Sequence, residues 1–420
     1  MRPERGVPGV ASSAYRAADR FGGVEMRETL VPEKFGPLQG VRILSTGSVI
    51  AQPFAAALAA QWGAEVIQVE NPFVEDTWRT VGLKLPSADG SRQIGTSWLA
   101  ERRNEFNIAL DMSNAEGKEK FLKLAARADI WMESSRPGTY DKWGLTDDVV
   151  MATNRALVIC HVSGYGQTGD PSYLGRASYD MIGQAFGGSM YQTGFPDSPP
   201  TRAAPWTADY ITALMCLSSC LAAHVHAKDT GVGQVIDLAQ FEAIHSVLAG
   251  TMVEWFHLGL TRERSGNKSP AFQPYDVFAV KDGSVVIAAP SESIFEKTCK
   301  VLGLDPKDEY WSSARTAIND VQGLEFDALL RGWCEERTMA EAIEQLNAAG
   351  VACSPILNSQ TAAEDPHYKA RGVHIEWEDE VVGTVRGTGV TPRFSVTPGK
   401  IWRGTTLRGA DNDRIFEMLT

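Results

Sequence analysis

Cysteine is scarce in this chain. Six residues (Cys160, Cys216, Cys220, Cys299, Cys334, Cys353) among 420 are too few and too scattered for a disulfide framework. Long apolar runs are missing as well. The longest, Ile211–Ala227, is interrupted by Ser218, Ser219 and His224, so no segment reads as a membrane span. No apolar secretory segment opens the chain, and the cytoplasm is the expected location. Cations are outnumbered: 40 Lys and Arg face 52 Asp and Glu, a formal charge of −12. Binding to a phosphate backbone selects the opposite sign, so nucleic acid is not an expected partner. A phosphorylated small molecule needs only a few converging cations. The sequence has no G-x-S-x-G elbow and no Walker A loop.

What is present is a globular composition, 43% hydrophobic and 22% charged, at a length that implies more than one domain. Four arginines in the first 25 residues faintly suggest a transit peptide, but Glu4 and Asp19 count against it. Residues 1–33 are expected to be a disordered tail. Beyond them, apolar runs of strand type (Val41–Thr46, Ala64–Glu70, Phe106–Leu110, Ile130–Glu133, Leu157–Ser163) alternate with helical segments (Ala55–Trp62, Ala115–Ala126). Such alternation predicts an α/β fold, a Rossmann-like parallel sheet covered on both faces. Helices are expected at Asp180–Gly188, Asp209–Lys228 and Glu242–Leu260, then a hairpin within Tyr275–Ala289 around Lys281-Asp282-Gly283. Helices at Glu292–Leu302 and Met339–Ala349 beside it suggest a smaller α+β domain over 229–350. The large domain then takes 34–228 and 351–420, with short strands at Ile375–Trp377, Thr384–Arg386 and Arg393–Val396 and a terminal helix.

Three motifs invite functional readings. Gly164–Gly169 spells GxGxxG after a strand, but Pro171 follows where a helix would have to start beneath a pyrophosphate, so a glycine-rich turn is expected. Cys216, Cys220 and His224 share a helix face without a fourth ligand in sight, which favours packing over a metal site. Asp209, at the start of an apolar helix, has two readings. It is either a capping or first-turn aspartate, or a carboxylate nucleophile beside free helix N–H groups. The local pattern leaves both open. Arg102-Arg103-Asn104 and the pair Arg136 and Lys142 flank predicted strands, where an open α/β sheet receives ligands; a solvated charged loop is the alternative.

Taken together, FGPLQGVRIL, AQPFAAALAAQWGAEVIQVE, ERRNEFNIALDM, ADIWMESSRPGTYDKWGL, HVSGYGQTGDPSYLGRASYDMIGQAFGG, PWTADY, GVGQVIDLAQFEA and KIWRG resemble the class III CoA-transferase family, in order, from about Phe35 onward. Members acting on crotonobetainyl- or butyrobetainyl-CoA and carnitine are similar around TADY and KIWRG, and bile-acid members around SGYGQTGDPSY. The resemblance implies a nucleophile at Asp209 and CoA-binding residues at Arg136 and Lys142, with Arg103 and Asn104 as further candidates. It implies coenzyme A as co-substrate with no permanently bound cofactor and no metal. The partners implied are an acyl-CoA and a small carboxylic acid, in an interlaced, ring-like homodimer.

Two departures narrow the substrate. The first strand–helix loop reads Ser48-Val49-Ile50-Ala51-Gln52 and the expected lid Ser265-Gly266-Asn267-Lys268-Ser269, which disfavours formyl-CoA:oxalate exchange. The α-methylacyl-CoA racemases place a histidine in the segment matching Ser178-Tyr179-Asp180, where this chain has Tyr179 before Asp180, so a two-base proton transfer lacks one partner. Trp206 and Tyr210, flanking Asp209, could face a quaternary ammonium by cation–π attraction or could simply pack.

Overall fold

The computed structural model describes residues 29–420. The expected disordered tail lies outside the described residues up to position 28. Residues 34–420 form one unit. Its large sheet has six parallel strands: β1 (Arg42–Ser45), β2 (Glu65–Glu70), β3 (Glu105–Ala109), β4 (Ile130–Glu133), β5 (Val158–Ser163) and β6 (Val235–Ala239). Their order in the sheet is β3-β2-β1-β4-β5-β6. The strand order reverses between β1 and β4. In such sheets that switch point opens a crevice at the strands' C-terminal ends.

Strands β1, β2 and β4 are buried along their whole length, as expected of a parallel sheet covered on both faces. Helix α1 (Pro53–Gln61) starts with proline in its first turn, where a missing N–H is harmless. Its alanines Ala55, Ala56, Ala59 and Ala60 are fully buried. Their small side chains let α1 sit close to the sheet and to the long helix α4, defined below. Helix α2 (Ala115–Ala125) is capped by Asn114, whose side chain accepts the Gly117 N–H, and turns Phe121 and Leu124 inward.

Helices α3 (Asp180–Gly187) and α4 (Thr207–Thr230) precede β6, and α5 (Gln240–His245) and α6 (Thr251–Leu258) follow it. By length and composition α4 could cross a membrane, with a mean hydropathy of 1.3 in its most apolar window. Here Ala213, Cys216, Leu217 and Cys220 are packed in the core beside β4 and β5. The single helix expected over Glu242–Leu260 is two, because the chain turns through Ser246–Gly250 before α6 starts.

The second sheet is antiparallel. It pairs β7 (Tyr275–Val280) with β8 (Gly283–Ala288) in the expected hairpin, across a two-residue turn at Lys281-Asp282 with Gly283 already in the strand, and β8 with β9 (Ala352–Pro355). Phe278, Ile287, Phe295, Phe326, Leu330 and Leu346 form its core. The strands therefore divide differently from the expected 229–350 span. β6, inside that span, completes the large sheet, and β9, beyond it, completes the small one. A ribbon of β10 (His374–Asp379) and β11 (Gly383–Thr388) follows. Arg393–Val396 is not a strand.

The C-terminal segment is fastened back onto the edge of the large sheet. Asn104, in the left-handed region at φ 67°, receives the Trp402 and Arg403 N–H groups on its Oδ1. Its amide donates to the carbonyls of Ala60 and Lys400. Asparagine tolerates that backbone better than other side-chain-bearing residues. Asn104→Ala strands two backbone N–H groups and is expected to lower the unfolding free energy by about 2–4 kcal/mol, measured by urea denaturation.

Candidate active site

Residues at or just beyond the C-terminal ends of all six large-sheet strands surround one cavity of about 780 Å³. The β1 end contributes Thr46–Ala51, the β4 end Ser134–Pro137, and the β5 end Ser163–Gly166. Just past β6, the first residue of α5 contributes Gln240, and α4 supplies Asp209. The cavity is therefore built at the switch point, from segments far apart in the chain.

Asp209 sits in the first turn of α4 and is only 7% exposed. It does not cap its own helix. That task falls to Asp180, the first residue of α3, whose Oδ1 accepts the N–H groups of Ala208 (2.8 Å) and Asp209 (3.3 Å). Gln184 holds Asp180 by donating to its Oδ2 (2.8 Å), and is itself tied to Ala203 by two backbone hydrogen bonds. Because Asp180 satisfies the helix end, the Asp209 carboxylate is free to face the cavity.

Gln240 is the other partner. Its Nε2 donates to Asp209 Oδ1 at 2.6 Å while its Oε1 accepts the Ser178 hydroxyl at 3.1 Å, so both ends of the amide are fixed. This approach requires Gly183 on α3, where a Cβ would lie 2.6–2.7 Å from the Gln240 side chain.

The electrostatics follow from this packing. Burial pushes the Asp209 carboxyl up, and the neighbouring charge of Asp180 adds to the rise. The Gln240 hydrogen bond opposes them, Glu101 contributes a further increase, and the result is about 7. Burial and like charge both disfavour ionisation. Asp180 and Gln240 lie 29 and 31 residues from Asp209 in the chain, and nothing in the local pattern around Asp209 points to them.

Of the other candidates, Arg136 lines the same cavity. Its loop is braced from below. Glu133 accepts the Ser135 N–H at 2.5 Å and binds His161 Nδ1 at 2.7 Å, while His161 Nε2 meets Asp147 at 2.9 Å. Burial works against charge on this imidazole, but the bonds to Asp147 and Glu133 outweigh it and lift His161 to about 10. Lys142 is exposed on the short helix Thr139–Lys142 that follows, outside the cavity lining.

The structure does not bring Arg103 and Asn104 to the cavity. Arg103 is buried, donates to the Thr388 carbonyl at 2.8 Å and stacks over Trp377, and Asn104 holds the C-terminal segment. A run of basic and amide residues looks the same in sequence whether it meets a ligand or the fold.

Trp206 and Tyr210 are also outside the lining. Tyr210 donates to Glu101 at 2.5 Å and meets Phe54 edge-on, and Trp206 meets Trp78 edge-on. Packing is the role the structure gives them. Gly164–Gly169 is a turn, closed by the Gln167 N–H on the Asp237 carboxylate, with no helix beginning at its third glycine.

The sequence profile of CoA-transferase family III matches residues 38–412. The chain belongs to that family. It is 35% identical over 393 residues to a bile acid CoA-transferase of Clostridium scindens, covering 92% of this chain and 86% of that one. It is 32% identical over 398 residues to an L-carnitine CoA-transferase of Proteus mirabilis, covering 93% and 95%. Among solved structures, a CAIB/BAIF family protein of Brucella suis superposes with a TM-score of 0.78 at 29% identity, covering 92% of this chain and all of that one. The protein is thus a family III enzyme with coenzyme A among its substrates.

The arrangement makes a testable prediction. Asp180→Asn keeps an oxygen for the α4 N–H groups and removes the neighbouring charge. The Asp209 carboxyl is then expected to titrate below its present value of about 7, a shift followed by carboxyl-resolved NMR.

Proposed function

We propose that Asp209 is the nucleophile of a CoA exchange between an acyl-CoA donor and a carboxylic acid acceptor of the crotonobetainyl-/butyrobetainyl-CoA and carnitine type. The observation that carries this reading is a buried carboxylate opening into the cavity that also holds Arg136. Asp209 attacks the donor thioester carbonyl, forming an acyl–aspartyl anhydride and expelling CoA thiolate. The thiolate attacks the aspartyl carbonyl, giving an aspartyl-CoA thioester and releasing the donor acid. The acceptor carboxylate attacks that thioester, thiolate leaves again, and its attack on the new acyl group yields the product thioester and regenerates Asp209. Anhydride and thioester both retain the activation of the starting bond, which an ordinary serine ester would dissipate. Water must be excluded throughout.

Arg136, with Lys142 one short helix away, holds the CoA phosphates through charge-assisted hydrogen bonds. Arg103 and Asn104, engaged elsewhere, are not part of this proposal. The enzyme acts as a homodimer in the cytoplasm. Exposed Trp255, Phe256 and Leu258 on α6 supply the kind of apolar surface that a partner subunit covers. A bile acid is the second acceptor class, supported by the Clostridium scindens relative and by the exposed apolar pair Phe73 and Val74 on the cavity wall. No histidine lines the cavity among the described residues, which weighs against a two-base racemase. An acceptor screen that follows CoA-ester exchange by mass spectrometry separates the carnitine and bile-acid readings.

Four outcomes are expected. Asp209→Asn abolishes exchange, and hydroxylamine traps an adduct on the Asp209 peptide of the native enzyme only; full activity in a non-deamidated variant removes Asp209 from the mechanism. The ionised carboxylate is the reactive form, so kcat/KM rises with pH through about 7 and levels off above it. The folded carboxyl holds its proton more tightly than the unfolded one, so its stabilising contribution is full below the ordinary value of 3.8 and is lost as pH rises through about 7. Asp209→Asn is accordingly more stable than the native enzyme at pH ~8 by on the order of 4 kcal/mol, measured by thermal unfolding. Arg136→Ala raises KM for the CoA ester at least about tenfold with a smaller change in kcat; an unchanged KM excludes a phosphate contact.

A further inference from the structure

Three cysteines meet in the core beneath the site. Cys160 on β5 and Cys216 and Cys220 on α4 are all fully buried, and their sulfurs lie within 4.8 Å of one another. Cys160 and Cys216 are 3.7 Å apart, sulfur to sulfur. The i,i+4 spacing on α4 turns two thiols to one face, and β5 presents the third against them. Cys160 replaces the His224 that the helix spacing alone would suggest.

We infer that Cys160, Cys216 and Cys220 form a buried three-thiol site for a trivalent thiophilic ion, of which arsenite is the accessible form. Trivalent arsenic is pyramidal: with bonds to sulfur of about 2.3 Å, near the Zn–S length, and angles near about 100°, it holds its three thiolates about 3.5 Å apart, slightly closer than the 3.7 Å between Cys160 and Cys216, so a small inward shift of sulfurs now within 4.8 Å of one another completes the site. Charge then selects the ion. The thiols share an apolar cluster with Met132, Val162, Ala213 and Leu217, and a net charge left there is heavily penalised. A divalent ion on three thiolates leaves one negative charge and an open coordination position. No fourth histidine, cysteine or carboxylate joins the group among the described residues. Trivalent arsenic needs three sulfurs only and leaves no charge. Arsenous acid, As(OH)₃, condenses with three thiols, forming three As–S bonds and releasing three waters, with no change of oxidation state.

A second cavity, of about 460 Å³, is lined by Ser219, Ala223, His226 and Ile236 among others. Ser219 precedes Cys220, and Ile236 is the cross-strand neighbour of Cys160 in the β5–β6 register. The buried thiols make uptake slow and dependent on local opening.

The test is incubation of the full-length protein with sodium arsenite, then desalting. One arsenic per chain is expected, seen by native mass spectrometry as a gain of one arsenic less three hydrogens. Cys160, Cys216 and Cys220 should lose the slow alkylation that local opening permits in an arsenic-free control, while Cys299, Cys334 and Cys353 react as in that control. Cys160→Ala and Cys216→Ala should each lose the retained arsenic. Because either substitution could loosen the core, the protection map of the native chain stands as an independent measurement. No retained arsenic, protection of a different set, or a two-thiol adduct that keeps one hydroxyl overturns the assignment. So does a parallel incubation in which zinc is retained at one per chain on the same three thiols.

Discussion

The site depends on keeping a carboxylate out of water beside a second carboxylate. Asp209 and Asp180 are both buried, and what lets them coexist is a division of labour at the α4 N-terminus. Asp180 accepts two N–H groups from the first turn of the helix, those of Ala208 and Asp209, so its charge is spread into backbone donors and the helix dipole. Asp209 is left with a single side-chain donor, Gln240. One carboxylate is spent on structure and the other is held ready, and their hydrogen bonds make that division.

That arrangement needs rigid support, because a first-turn residue moves with its helix. The support is α4 itself, 24 residues long and packed through small side chains against β4, β5 and α1. Small residues on both surfaces allow close approach, and close approach leaves the helix little room to shift. Buried ion pairs hold the strands on the other side of the switch point: Arg42 with Glu65 across β1 and β2, and Arg79 with Glu70 beside the cavity floor. The returning C-terminal segment completes this side, with the Thr406 carbonyl accepting from Arg79 and the Asp411 carboxylate accepting the Asn107 N–H. Residues more than 300 positions apart thus share one electrostatic layer.

Strands buried on both faces are rich in β-branched and aromatic residues, which is why β1 to β5 were legible in the sequence despite the polar Gln68 in β2 and Asn107 in β3. β6 was not: its residues Val235–Ala239 are half exposed and include Asp237, so the run looks like a connection. The break between α5 and α6 was hidden for the opposite reason, since apolar residues continue across it. Asp209 was identifiable through its motif, whereas Asp180 and Gln240 act through tertiary contacts that leave no periodic trace. Arg103 shows the complementary limit. Composition reports that a guanidinium is present, and only packing reports whether its donors meet solvent, ligand or the Thr388 carbonyl.

The proposed chemistry gives the raised carboxyl value a purpose. A carboxylate that holds its proton up to about 7 is more basic than an ordinary aspartate and, other things equal, a better nucleophile toward a thioester carbonyl. A still higher value would leave too little of it ionised near neutral pH, and general catalysis is best served by a group titrating close to the working pH. The same poor solvation that raises the value also keeps water from the anhydride that would form next. Burial therefore serves nucleophilicity and intermediate lifetime together, and Gln240 tempers it: its hydrogen bond lowers the carboxyl value and fixes the oxygen it binds, leaving the other oxygen to attack.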